Sequence, residues 1–66
     1  PLDDGRRDAE MRYRLAEVLE SPWAGRDLRQ ARRHYLAVAE EFPASRFARP
    51  ALERVRYLDR HYFVVQ

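Results

Sequence analysis

The chain has 66 residues, of which 45% are hydrophobic and 36% charged, with no cysteine and a formal net charge of +2. Domains typically run to roughly 100–150 residues, so this length holds one small core and excludes a second domain. The absence of cysteine excludes a disulfide staple, a thiol nucleophile and cysteine-ligated zinc, and charges break every apolar run well short of the roughly 20 residues a membrane helix needs.

All thirteen basic side chains are arginine, and Lys, Ile, Thr and Asn do not occur. That bias reads as GC-rich coding rather than a selected arginine surface. Glu17, Glu20, Glu40, Glu41, Glu53 and Asp59 are interspersed among the arginines, whereas a nucleic-acid-binding domain usually gathers its basic residues on one face. The chain opens on Pro1, which reads as a piece processed or excised from something longer.

Residues 1–6 carry no periodic apolar signal and read as a frayed leader. From about residue 7 to 20, Met11, Leu15, Val18 and Leu19 fall at i, i+4, i+7 and i+8, which predicts an amphipathic helix with that stripe turned inward. Asp8 suits the positive end of its macrodipole, and Asp8/Arg12 and Glu10/Arg14 stand four apart in the favourable acid-before-base order. Ser21-Pro22 ends the helix, because proline lacks the amide donor and disfavours helical backbone in the residue before it.

Residues 21–26 form a connection of the length common between antiparallel helices. Asp27 is a good N-cap for a second helix over about 27–42, in which Leu28, Ala31, Tyr35, Val38, Ala39 and Phe42 recur at threes and fours while Arg29, Arg32, Arg33 and Glu40 hold the other side. Phe42-Pro43 stops it. A third helix is predicted over about 45–62, capped by Ser45, with Ala48, Ala51, Val55, Leu58 and Tyr62 in an unbroken 3-4-3-4 pattern. Pro50 interrupts its start. Either the helix begins there, where proline is welcome at the first position, or residues 45–49 make a loose preliminary turn, the reading favoured. Residues 63–66 read as an extended apolar tail. The predicted core is Leu15, Val18, Leu19, Leu28, Ala31, Tyr35, Val38, Phe42, Ala48, Ala51, Val55 and Leu58, in an all-α fold of an antiparallel helical hairpin plus a third helix.

Candidate functional residues are few. His34 and His61 are the only imidazoles, and neither has a ligand partner at metal-binding spacing on its helix, so both read as surface or packing residues. Gly5 and Gly25 serve turns, not a phosphate loop. No catalytic pair, metal or cofactor is called for. Trp23, in the connection, either folds back as a lid over the end of the helix pair or faces a partner, tryptophan being enriched in interface hot spots. Phe47, Arg54, Tyr57 and His61 lie beside the core stripe of the third helix at helical spacing. A stripe mixing aromatics with arginine is a contact surface, or else a snorkelling arginine among rings that extend the core. Arg32, Arg33, Arg54, Arg56 and Arg60 offer the alternative of a small basic three-helix nucleic-acid-binding module, although no helix carries the cluster of side chains that reads base edges.

The stretch Ala31-Arg-Arg-His-Tyr35-Leu-Ala-Val38-Ala-Glu-Glu-Phe-Pro43 resembles the second helix of a tetratricopeptide repeat, a two-helix module of about 34 residues. The family places a small residue, an aromatic, a small or apolar residue and a proline at the spacing shown by Ala31, Tyr35, Val38 and Pro43. The continuation through Phe-Pro-Ala-Ser45 to Ala51-Leu52 is similar to repeats of bacterial envelope lipoproteins and periplasmic coordinators. The resemblance implies about one and a half repeats, a non-enzymatic protein–protein interaction scaffold, and a periplasmic or cell-envelope location. Repeat proteins generally need three or more repeats to bury a continuous core, so a protein partner or another copy of the chain is expected against an open end.

Overall fold

In a computed structural model, residues 6–63 are described; the leader and tail read from the sequence lie outside them, apart from Arg6 and Phe63. Three helices follow in order, α1 (Arg6–Glu20), α2 (Leu28–Glu41) and α3 (Ala48–His61), and no strand occurs among the described residues. The fold is all-α, a helical hairpin with a third helix added. α2 is the middle member and packs against both α1 and α3. The described helices span 42 × 27 × 13 Å across their Cα atoms.

Local chemistry sets each boundary. Ser21 closes α1, its backbone N–H and its hydroxyl both donating to the Glu17 carbonyl, at 3.1 and 2.8 Å. The connection then folds back, and the Asp27 N–H donates to the Leu19 carbonyl at 2.9 Å. Asp27 caps α2 as expected: its backbone is extended and its carboxylate accepts from the Gln30 N–H at 3.1 Å. At the far end the Phe42 N–H still reaches the Val38 carbonyl before Pro43 turns the chain away. Pro50 falls at the third position of α3, in the first turn, where its missing N–H would have no intrahelical partner in any case. Residues 43–47 make the preliminary turns, and Ser45 organises them, its hydroxyl accepting from the Phe47 N–H at 3.0 Å and its carbonyl from the Ala48 N–H at 3.1 Å. Ser45 therefore caps the turn before the helix, while Phe47 occupies the N-cap position without a side-chain bond.

The core consists of Ala9, Ala16, Ala31, Tyr35, Val38, Ala51, Val55 and Leu58, flanked by half-buried Tyr13, Leu19, Leu28, Leu36, Phe42, Phe47 and Phe63. α2 and α3 bury the centres of the faces their spacing predicted, Ala31, Tyr35 and Val38 on one and Ala51, Val55 and Leu58 on the other, whereas Leu28, Ala39, Phe42 and Ala48 toward the ends are only half-buried, and Tyr62, past the last turn of α3, is 46% exposed. α1 does not bury its predicted face. Leu15 and Val18 were expected inside but stand 45% and 51% exposed, and Met11 is 63% exposed. The buried face of α1 is instead Ala9, Tyr13 and Ala16, with Leu19 at its edge. At about 100° per residue, Val18 lies roughly 160° around the axis from Ala16. The reversal has a packing cause: α1 has one full neighbour, and alanines let α2 approach its backbone closely, leaving room for the Tyr35 ring. Tyr35 meets Tyr13 edge to face, with ring centres 5.4 Å apart.

The same truncation should therefore have very different effects on two leucines. Leu58→Ala is expected to cost about 2–5 kcal/mol, whereas Leu15→Ala stays within about 0.5 kcal/mol. Urea unfolding followed by circular dichroism checks this, and comparable losses would place Leu15 in the core.

Candidate partner-binding surface

The end of α1 brings Glu20 onto the buried side of the helix, four residues beyond Ala16. Its carboxylate accepts a hydrogen bond from the Tyr35 hydroxyl of α2 at 2.8 Å and pairs with the Arg54 guanidinium of α3, whose Nε also reaches it at 3.3 Å. One carboxylate thus joins all three helices. Burial, and then the proximity of Tyr13 and Glu17, push the Tyr35 hydroxyl well above its ordinary pKa, so it remains a donor. Tyr13 is raised for the same reasons, burial first and Glu17 next.

Around this junction lies an open cleft of about 460 Å³ between α1 and α3, with Tyr35 and Glu20 at its base and Tyr57 and Tyr62 along its rim. The Arg54 guanidinium lies 4.4 Å from the centre of the Tyr57 ring. His61 stacks on the other side of Tyr57, with ring centres 4.1 Å apart, and its Nδ1 is 3.0 Å from the Tyr57 carbonyl. Arg26, from the first connection, reaches across to the Tyr62 hydroxyl at 3.3 Å and lies over that ring. Arg54, Tyr57 and His61 therefore do form one continuous stripe on α3. Phe47 is apart from it: the ring is half-buried in the core cluster, 5.2 Å from Tyr13.

Trp23 folds back against the last turn of α1. Its indole N–H donates to the Val18 carbonyl at 2.6 Å, which also accepts from the Ser21 backbone N–H at 3.2 Å. Its ring lies over Gly25 so closely that a methyl group there would collide with it. The side chain is nevertheless 53% exposed, and it is anchored beside Val18 on the outward flank of α1.

Glu20, Arg26 and Tyr62 were not singled out from the sequence. Glu20 had a legible signal, a lone carboxylate in register with Ala9, Tyr13 and Ala16. Arg26 and Tyr62 had none, since they are 36 residues apart. Among the described residues no three His, Cys, Asp or Glu side chains converge as metal ligands would, and no helix is long and apolar enough to cross a membrane. Compared with known proteins, the chain matches no family model, no curated protein and no solved structure.

Two outcomes test the junction. Tyr35→Phe should cost about 1 kcal/mol, and Glu20→Ala about 2–3 kcal/mol because it leaves both a hydroxyl and a guanidinium unpaired; strict additivity in the double variant would mean that Tyr35 and Glu20 do not interact. His34 supplies the pH dependence. It is half-buried, its Nδ1 has no hydrogen-bond partner among the described residues, and burial, followed by the charges of Arg12 and Arg33, lowers its pKa. The folded chain thus resists a proton that the unfolded chain accepts, so stability present above about pH 6.5 falls as the pH drops below it. The urea midpoint should decrease between about pH 7.5 and 5.5 and decrease less in His34→Gln; equal decreases would assign the effect to other groups.

Proposed function

We propose that the chain is a non-enzymatic protein–protein interaction scaffold of the tetratricopeptide-repeat type, holding a partner protein or another copy of itself. The observation that carries this reading is the outward face of α1, where Met11, Leu15 and Val18 form an exposed apolar stripe that continues onto Trp23. A stripe at i, i+4 and i+7 is the pattern by which one helix packs along another, and among the described residues no other helix covers it. Contiguous exposed apolar surface of this kind marks a place where proteins meet.

The packing of α2 supports the repeat character. Ala31 and Tyr35 are buried between the helices, with the small residue allowing close approach and the aromatic filling the space beside it. Hairpin followed by third helix is the order expected of one and a half repeats. The occupant that fits the α1 face is an apolar helical flank, in the position a preceding repeat would take. The second end, around Arg54, Tyr57 and His61, is wetter and more charged and serves as a rim that orients the contact. The cell-envelope location rests on the resemblance alone.

Sedimentation equilibrium over a range of concentrations, with circular dichroism on dilution, tests the reading. The wild-type chain should self-associate or lose helicity as it is diluted, and Leu15→Glu/Val18→Glu should abolish self-association while keeping its own helicity constant with concentration. A wild-type chain that stays a fully folded monomer throughout would overturn the idea that this face needs a companion.

A further inference from the structure

The arginines that looked evenly scattered along the sequence are sorted by the fold. Arg54 turns to Glu20, and Arg32 pairs with Asp59 at 2.6 Å, tying α2 to α3. Arg29 and Arg33 of α2, with Arg56 and Arg60 of α3, line an open groove of about 1140 Å³ between these helices. None of these four has an ion-pair partner among the described residues. Leu36 and Phe63 supply the apolar part of the lining, and Asp59 its only carboxylate, already committed to Arg32. The groove shares no residue with the cleft around Glu20.

We infer that this groove binds an acidic amphipathic helical segment of a partner protein, with carboxylates on the four arginines and apolar side chains on Leu36 and Phe63. Charge complementarity carries the inference. Each helix contributes two arginines four apart, a separation of about 6 Å along its axis, and a partner helix with acids four apart repeats the same spacing. Guanidinium forks suit carboxylates bidentately, and the apolar lining gives such a segment something to bury. A nucleic acid fits less well: the Phe63 ring packs against the core rather than standing free to stack on a base. This contact is independent of the α1 face, so either reading can fail without the other.

The probe is a synthetic labelled peptide of about 20 residues, long enough to be helical, with Glu at i, i+4 spacing beside a leucine stripe. It is titrated into the full chain by fluorescence anisotropy. Saturable binding should weaken about tenfold or more between low and high salt, as screening of opposed charges requires, and should be lost when the peptide's Glu residues become Gln. Arg33→Glu/Arg60→Glu should lose at least about tenfold in affinity with unchanged circular dichroism, while Leu15→Glu/Val18→Glu binds as the wild type does. If charge reversal disturbs folding, Arg29→Gln/Arg56→Gln carries the same expectation. Amide shift changes on peptide addition should centre on Leu36 and Phe63. Failure to bind at low salt, shifts centred on α1, or tighter binding of a single-stranded or duplex oligonucleotide than of the peptide would overturn the inference.

Discussion

The carboxylate of Glu20 is the constraint on which the arrangement depends. It accepts from Tyr35 and pairs with Arg54, so one anion on α1 meets a neutral donor on α2 and a cation on α3. α1 and α3 otherwise meet mainly through Tyr13 and Phe47. With α2 packed against both, α1 and α3 share little contact of their own with which to hold each other in register. A polar junction at one end and an aromatic pair toward the other set the relative position of α1 and α3, which apolar burial alone would leave loosely defined. Arg54 is half-exposed, so the pair contributes modestly to stability; its larger effect is geometric, because hydrogen bonds are directional and burial is not.

The middle position of α2 also explains how so small a chain presents several distinct surfaces. A middle helix with neighbours on both sides consumes its apolar residues internally, whereas the outer helices keep flanks in reserve. On α1 that flank is greasy and ends in Trp23. On α3 one side carries rings and the Glu20–Arg54 pair, and the other carries Arg56 and Arg60 facing Arg29 and Arg33. Charges that average to +2 over the whole chain are thus locally far from neutral.

Much of the middle and end of the chain was legible before any coordinates. α2 begins at Asp27 because an extended residue with a short carboxylate satisfies a free N–H wherever it stands, and Ala31, Tyr35 and Val38 point inward because their spacing admits one inward face. α3 read equally well through Ala51, Val55 and Leu58. α1 misled because its sequence contains two candidate stripes: one of large apolar residues, Met11, Leu15 and Val18, and one of alanines with Tyr13. Burial of area alone favours the first. Close packing against α2 selects the second, since the distance between two helices is set by their smallest facing side chains, and a bulky stripe would hold α2 too far away for Tyr35 to reach Glu20.

From the sequence by itself came the number of helices, the Asp27 cap of α2, the stops at Ser21-Pro22 and Phe42-Pro43, and the centres of the inward faces of α2 and α3, because these follow from interactions within a few residues. Only the tertiary structure decided which side of α1 is buried, that Glu20 joins three helices, and that Arg54 and Arg60 belong to different surfaces. Those outcomes depend on which side chains from distant segments compete for one space, and helical spacing states the angle of a residue about its own axis without stating what stands opposite.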